Sequence, residues 1–237
     1  PIVFAGPSLP VQDRAAIDGI EFRPPAAQGD IVRAIREKPS AIGLIDGFFG
    51  DRLAVHQKEI LEALAEGILV VGAASMGALR ASELAQFGMK GVGKIYSDFA
   101  CGRLTSDAEV AVAHGPAHVG FAPTSISLVD VRATLDSLGR QRGYRKRLMN
   151  ELLEIAKAIH FEDRTWRRIA EPVRTRSFSR DDLEDAIRSS HVQQKRLDAI
   201  ALLTYLRKGD LTLPSNIASP PMTRASNVIR NRALFGS

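Results

Sequence analysis

The sequence predicts an α/β fold, with a parallel sheet flanked by helices in a Rossmann-like core and a helical region towards the C-terminus. Three observations carry that prediction. Short apolar runs, Ile2-Val-Phe-Ala5, Ala41-Ile-Gly-Leu-Ile45 and Ile68-Leu-Val-Val71, have the length and composition of buried strands. Segments of helical periodicity separate them, the alternation expected of a parallel sheet. Each run also ends in small or turn-forming residues: Gly6-Pro7-Ser8, Asp46-Gly47-Phe48 and Gly72-Ala-Ala-Ser75. Open parallel sheets bind ligands outside the carboxyl ends of their strands, near a topological switch point. Those three loops are where a site is expected.

The elements follow in order. After the first strand, Ile20-Glu-Phe-Arg23 reads as a second strand ending at Pro24-Pro25, and Asp30 as the N-cap of a helix through Lys38. Ala41–Ile45 is the third strand. Leu53 to Glu66 reads as an amphipathic helix with Leu53, Ile60, Leu61 and Leu64 on one stripe and Gly67 past its end. The strand Ile68–Val71 leads through a turn at Ser75 into a helix opening at Met76 and running to about Phe87. Gly88 to Gly93 reads as a plain connector, because no Gly-Lys-Ser/Thr follows it. Ile95-Tyr96 suggests a short strand or turn. The Asp107–Pro116 segment fits either a helix stopped by Gly115-Pro116 or a strand. Ile126–Leu128 reads as one more strand, with Asp130 capping a helix to Leu138. From Gly143 the pattern is helical throughout, with Ser179 capping one helix and Val192–Arg207 forming the last clear one. The expected organisation is an α/β core over residues 1–140, a basic helical region over 141–213, and an extended or mobile tail over 214–237.

Composition narrows the function. Of 237 residues, 45% are hydrophobic and 25% charged, which is ordinary globular usage. No apolar run approaches the 18 or more residues of a membrane span, and no charged-then-apolar leader precedes the first strand, so a soluble cytoplasmic protein is expected. A lone Cys101 excludes an intramolecular disulfide and a cysteine-based zinc cluster, and reads as a small buried residue. The net charge of +5 is uneven: Gly139 to Arg180 holds 12 Lys or Arg against 5 Asp or Glu. Such a stripe suits an acidic protein partner. Nucleic acid is not favoured, because aromatic residues make up only 6% and do not interleave with the basic ones.

Strand, small residues, Ser75, one residue, Gly77, helix is the layout of a nucleophile elbow, in which a sharp turn lifts a hydroxyl clear of both elements. The Met76 N–H and its neighbours would then face whatever sits on that hydroxyl, at the positive end of a helix dipole. The same position is also where serine commonly serves as an N-cap. His56, near the start of its helix, is a candidate general base or a half-buried histidine bonded to a loop carbonyl. Glu59 would either orient that imidazole or be a solvated charge. Asp46 fits a catalytic carboxylate or a cap. Arg80 could hold a carboxylate at the helix start or pair with Glu83. Asp107, Glu109 and His114 match no strong metal signature, and neither a metal nor a cofactor is expected.

Taken together, Gly6-Pro7-Ser8, Asp46-Gly47-Phe48, the His56–Leu61 segment, Gly72–Leu84, Phe87–Met89 with Gly91-Val-Gly93, and Asp107–Gly115 resemble the TfuA-like protein family. The resemblance covers roughly Ile2 to Pro123, and the helical remainder from Asp130 carries no motif that joins it. It implies a partner of YcaO-type enzymes, which convert backbone amides of peptides or proteins into thioamides. It also implies help with sulfur supply through a ThiS-like carrier whose C-terminal Gly-Gly ends in a thiocarboxylate.

Releasing that sulfur is an acyl-transfer problem, and the candidate residues distribute over it. Ser75 would attack, His56 or His114 would take its proton, and Met76 and Gly77 would supply oxyanion donors. Arg80 would hold the charged tail, while Gly6, Ser8, Asp46 and Glu109 would line the substrate. A thiocarboxylate resists nucleophiles until its charge is neutralised, so Arg80, Lys58 or a protonated histidine must help. Alternatively, water attacks with Glu59 or Glu109 as base and Ser75 only donates a hydrogen bond. A second function class is a non-catalytic docking module that brings carrier and YcaO enzyme together through the basic region. A third is a small-molecule hydrolase of α/β type.

Overall fold

The computed structural model describes residues 1–208 except 51, 143 and 174–178, and residue 180 by its backbone alone. The expected tail over 214–237 lies outside the described residues. Contacts divide the chain into two units. The first comprises Pro1–Thr105 together with the chain from Arg196 onward; the second is Ser106–Lys195.

The first unit is built on five parallel strands: β1 (Ile2–Phe4), β2 (Glu21–Arg23), β3 (Ala41–Leu44), β4 (Leu69–Gly72) and β5 (Lys90–Gly91). Their order is β2-β1-β3-β4-β5, with Ile2 opposite both Glu21 and Ile42, and Ala41 opposite Leu69. This is a doubly wound sheet, and its switch point lies between β1 and β3. Its helices are α1 (Val11–Ala15), α2 (Asp30–Ile35), α3 (Gln57–Ala65), α4 (Met76–Leu84), α5 (Lys94–Ala100) and, from the far end of the chain, α10 (Gln194–Arg207).

Alternation along the strands decides which face each residue serves. Ile2, Phe4, Ile42, Leu44 and Val70 pack with Ile31, Ile60, Leu64, Met76 and Ala81 from α2, α3 and α4. Val3, Ala41, Leu69 and Val71 face the other way, against Ala199, Leu202, Leu203 and Leu206 of α10. Gly43 makes room there: a Cβ would stand 2.9 Å from Val3 and 3.0 Å from Leu202. Two ties fix α10 further. Asp198, nearly fully buried, accepts the Ile95 N–H at 2.7 Å, and Arg196 pairs with Asp13 at 2.6 Å. The last helix is therefore a wall of the sheet rather than part of the basic helical region. The first unit's N-terminal stretch ends at Thr105, and the unit resumes at Arg196.

The second unit holds α6 (Leu128–Arg142), α7 (Lys146–Ala158), α8 (Trp166–Ala170) and α9 (Arg180–Ser189) around a separate core of Val131, Leu135, Leu138, Leu152, Ile169 and Ile187. Arg164, 2% exposed, donates to the carbonyls of Ala156, Ile159 and Ile126 and so satisfies the C-terminal end of α7.

Several local expectations are corrected. Helix α3 begins at Gln57 because Leu53–Val55 run alongside the loop after β2, where Gln28 N–H reaches the Leu53 carbonyl at 2.8 Å; Leu53 is exposed, not on the stripe. Gly29, at φ 90°, occupies the N-cap position of α2, and Asp30 turns its carboxylate back onto the Ala27 N–H. The Gly88–Gly93 connector contains β5, and Ile95-Tyr96 lies within α5. Residues Asp107–Glu109 form a single 3-10 turn, and His114 makes one bridge to Pro123, so that segment is neither a helix nor a full strand. Ile126–Leu128 is no strand. Ser127 bonds the Asp130 N–H and starts α6, the capping task expected of Asp130. Cys101 is exposed.

Candidate functional site at the sheet switch point

Three loops meet at the carboxyl ends of β1, β3 and β4, and main-chain hydrogen bonds join them. The Ile45 carbonyl accepts from Ser75 N–H at 3.3 Å and Gly77 N–H at 3.2 Å, while Ala73 N–H reaches the Leu44 carbonyl at 3.1 Å. Asp46 closes the other side. Its Oδ2 accepts from Gly6 N–H at 2.8 Å and Ser8 N–H at 3.0 Å, and its Oδ1 from the Ser8 hydroxyl at 2.6 Å. At 1% exposure this carboxylate is a fastener between the β1 and β3 loops, with its oxygens already engaged. Arg14 finishes the β1 loop by donating to the carbonyls of Gly6 at 2.7 Å and Leu9 at 2.8 Å. Burial lowers the Arg14 pKa, and the facing Asp46 carboxylate works against that shift. Sequence reasoning missed Arg14, because nothing in Val11–Ala15 separates a loop-bracing arginine from a surface charge.

The turn at Ser75 is tight for stated reasons. Ala74 holds φ 65°, a left-handed conformation that a residue with a Cβ rarely adopts, and Ser75 sits at φ −114°, ψ −119°. Such backbone costs about 1–3 kcal/mol and clusters where function demands it. Gly72 and Gly77 allow α4 to cross β3 and β4 at backbone contact: a Cβ on Gly77 would lie 1.7 Å from the Leu44 carbonyl oxygen. Ser75 is 4% exposed and occupies the N-cap position, yet its side chain makes no capping hydrogen bond to α4. The hydroxyl at this turn does not perform the ordinary task of a serine before a helix.

On the α3 side, His56 is the cap. Its Nδ1 accepts the Lys58 N–H at 3.2 Å, which places the proton of the neutral ring on Nε2. Burial, then Lys58 and Arg80, lower its pKa, so the ring is neutral at pH 7. Glu59 completes the capping box by accepting the His56 N–H at 3.1 Å, and it also takes the Gly29 N–H at 2.7 Å. Its carboxylate thus ties the starts of α2 and α3 and bonds the His56 backbone. Arg80 donates Nε to the Val55 carbonyl at 3.2 Å and pairs with Glu83 at 2.8 Å, linking α4 to the strand-like segment before His56.

The other two predicted residues belong to the second unit. His114 Nδ1 lies 2.9 Å from the Gly115 carbonyl and its ring meets Phe121 edge-on. Glu109 forms a two-pronged pair with Arg132, at 2.7 and 3.0 Å. Among the described residues, no group of three or more His, Cys, Asp or Glu is placed to hold a metal, and no helix is long and apolar enough to cross a membrane.

Glu59 carries a pH signature. Full burial pushes its pKa up to about 7, against the opposing pull of the His56 and Gly29 amides. The folded carboxyl holds its proton to higher pH than the unfolded one, so this stability is present below the ordinary value and lost as pH rises through about 7. The lost contribution is on the order of 3 kcal/mol. Urea unfolding followed between pH 5 and 8 should show declining stability, with most of the slope removed in Glu59→Gln. An unchanged slope in the variant would assign the effect elsewhere.

The fold and this site define a doubly wound α/β protein with a serine on a strained strand-to-helix turn beside its switch point. The chain belongs to the TfuA-like protein family: the family pattern matches residues 46–165, just over half of its length. The match starts at Asp46, after the Gly6–Ser8 loop, and runs through α6 and α7, beyond the Pro123 limit of the motifs read from sequence. No curated protein matches the chain. Membership is consistent with a role beside YcaO-type enzymes.

Proposed function

We propose that this protein serves YcaO-dependent thioamidation of peptides or proteins by hydrolysing the C-terminal thiocarboxylate of a ThiS-like sulfur carrier to release sulfide. The observation that carries the reading is the place of Ser75, on the strained turn from β4 into α4, joined through the Ile45 carbonyl to the β3 loop beside the switch point. In this reading the Gly-Gly tail enters the crevice between the β1, β3 and β4 loops. The Ser75 oxygen bonds the thioacid carbon, the C–S bond breaks, and the hydroxyl proton leaves on sulfur as HS⁻. Water then cleaves the serine ester. The balance is thiocarboxylate plus water giving carboxylate plus H₂S, with no oxidant or reductant required.

The amides narrow the oxyanion donor. Ser75 and Gly77 N–H both engage the Ile45 carbonyl, so the task falls to the Met76 N–H, the residue after the nucleophile. His56, neutral at pH 7, activates the second-step water once its Nδ1 exchanges the Lys58 amide for that water. Arg80 offsets the negative charge of the tail. Asp46, Gly6 and Ser8 keep the crevice wall in place rather than bonding the substrate.

Purified protein incubated with thiocarboxylated carrier should convert it to the carboxylate, read as the sulfur-for-oxygen mass change together with trapped sulfide. A carrier left unchanged rejects hydrolysis. Docking of carrier and YcaO enzyme without catalysis would then remain, favoured by the exposed cations around the α6–α7 junction.

A further inference from the structure

The junction between α6 and α7 concentrates charge that the fold itself does not use. Arg140, Arg142, Arg145, Lys146 and Arg147 fall within eight residues and all five are exposed. Among the described residues none of the five forms an ion pair; Arg142 reaches only the Ser189 hydroxyl, at 3.1 Å. Arg140 and Arg142 lie in the last turn of α6, where cations suit the negative end of the helix dipole. The other three lie where they do not. Arg145 holds the N-cap position of α7 without a capping bond, Lys146 and Arg147 follow in the first turn, and that turn holds no acidic residue. Positive charge at a helix N-terminus opposes the helix dipole. Three cations crowded there oppose stability, and two more stand close by in sequence.

The charges are also presented on a firm mount. Tyr144, Leu148 and Met149, from the same short stretch, pack against the core formed by Val131, Leu138, Leu152 and Ile169. That packing turns the only aromatic ring of the junction inward, away from any base it could stack on, which disfavours a nucleic-acid reading. The five cations sit at the end of α6 and the start of α7, the corner between the two helices.

We propose that the Arg140–Arg147 corner of the second unit is a docking surface for an acidic face of a partner protein, the YcaO-type enzyme. The identity of that partner rests on the function proposed above; the corner's preference for an acidic protein rests on the charges alone. Electrostatic complementarity of this kind governs encounter and partner choice, and it weakens with salt.

Calorimetry with the full chain and a purified YcaO-type enzyme tests this at low and high NaCl. The variant Arg145→Glu/Lys146→Glu/Arg147→Glu should bind at least about tenfold more weakly and lose most of the salt dependence. Arg145→Lys/Arg147→Lys should bind as the unaltered protein does. Arg207→Glu/Lys208→Glu, which changes net charge on the first unit, should cost at most about twofold. Circular dichroism checks that each variant is folded. Equal loss in both charge-reversed variants, no loss in either, no binding by the unaltered protein, or tighter binding of a short DNA duplex at the corner overturns the proposal. Sulfide release by the isolated chain separates the two readings. Release with unaffected enzyme binding in the triple variant defeats the docking surface alone, and no release with binding lost in that variant defeats the hydrolase alone.

Discussion

Replacing Ser75 by Ala is expected to abolish sulfide release from a thiocarboxylated carrier, lowering the rate by at least about 10³-fold. Removing a nucleophile leaves only the contribution of binding and oxyanion donors, which is why the effect is large. The loss should be catalytic rather than structural. A serine at an N-cap position changed to alanine typically costs about 1 kcal/mol. The urea unfolding free energy should therefore stay within about 1 kcal/mol of the unaltered protein. A Ser75→Ala protein that releases sulfide at full rate would falsify the nucleophile role and favour direct attack by water. In that event Glu59 becomes the group to test, because its pKa of about 7 gives a base poised at working pH.

The largest effect on stability should come from Gly77→Ala. A Cβ there would sit 1.7 Å from the Leu44 carbonyl oxygen and 2.6 Å from its carbon, both in the backbone of a central strand. Neither can swing aside as a flexible side chain would. Moving α4 off β3 would break the Ser75 and Gly77 bonds to the Ile45 carbonyl and open the packing around Met76. The cost should exceed about 3 kcal/mol in urea unfolding. Gly102→Ala is the matched control. Gly102 has φ 74° but open space around it, so its cost should be near 1 kcal/mol. Similar losses at the two positions would mean that α4 does not approach the sheet as closely as the geometry requires.

The parallel sheet and the meeting of its strand-end loops were legible because buried strands are short, apolar and bounded by turn residues. Ala41–Ile45 and Ile68–Val71 could hardly be anything else. The Ser75 turn was legible as a place but not as a task. Only side-chain geometry separates a capping serine from one that leaves its helix uncapped. His56 and Glu59 show the converse. Three residues apart at a helix start, they follow capping-box spacing, but the sequence weighed a base and its orienter against a half-buried histidine and a solvated charge, because histidine is a rare cap. Strand β5, two residues containing a lysine and a glycine, carries no hydrophobic signal at all. Helix α10 was found, but its destination was not. Leu202, Leu203 and Leu206 announce a buried face without saying which sheet will bury it.

That destination has a consequence for how the chain comes to be folded. Val3, Ala41, Leu69 and Val71 are all synthesised early, yet the residues that cover them arrive only with Ala199–Leu206. The sheet must wait, with one apolar face open, while the whole of Ser106–Lys195 is made and assembles its own core. Order of synthesis and order of completion thus differ: the sheet is begun before the second unit and closed after it. During that interval the open face is a natural target for chaperones, and a chain released before residue 207 would carry it permanently.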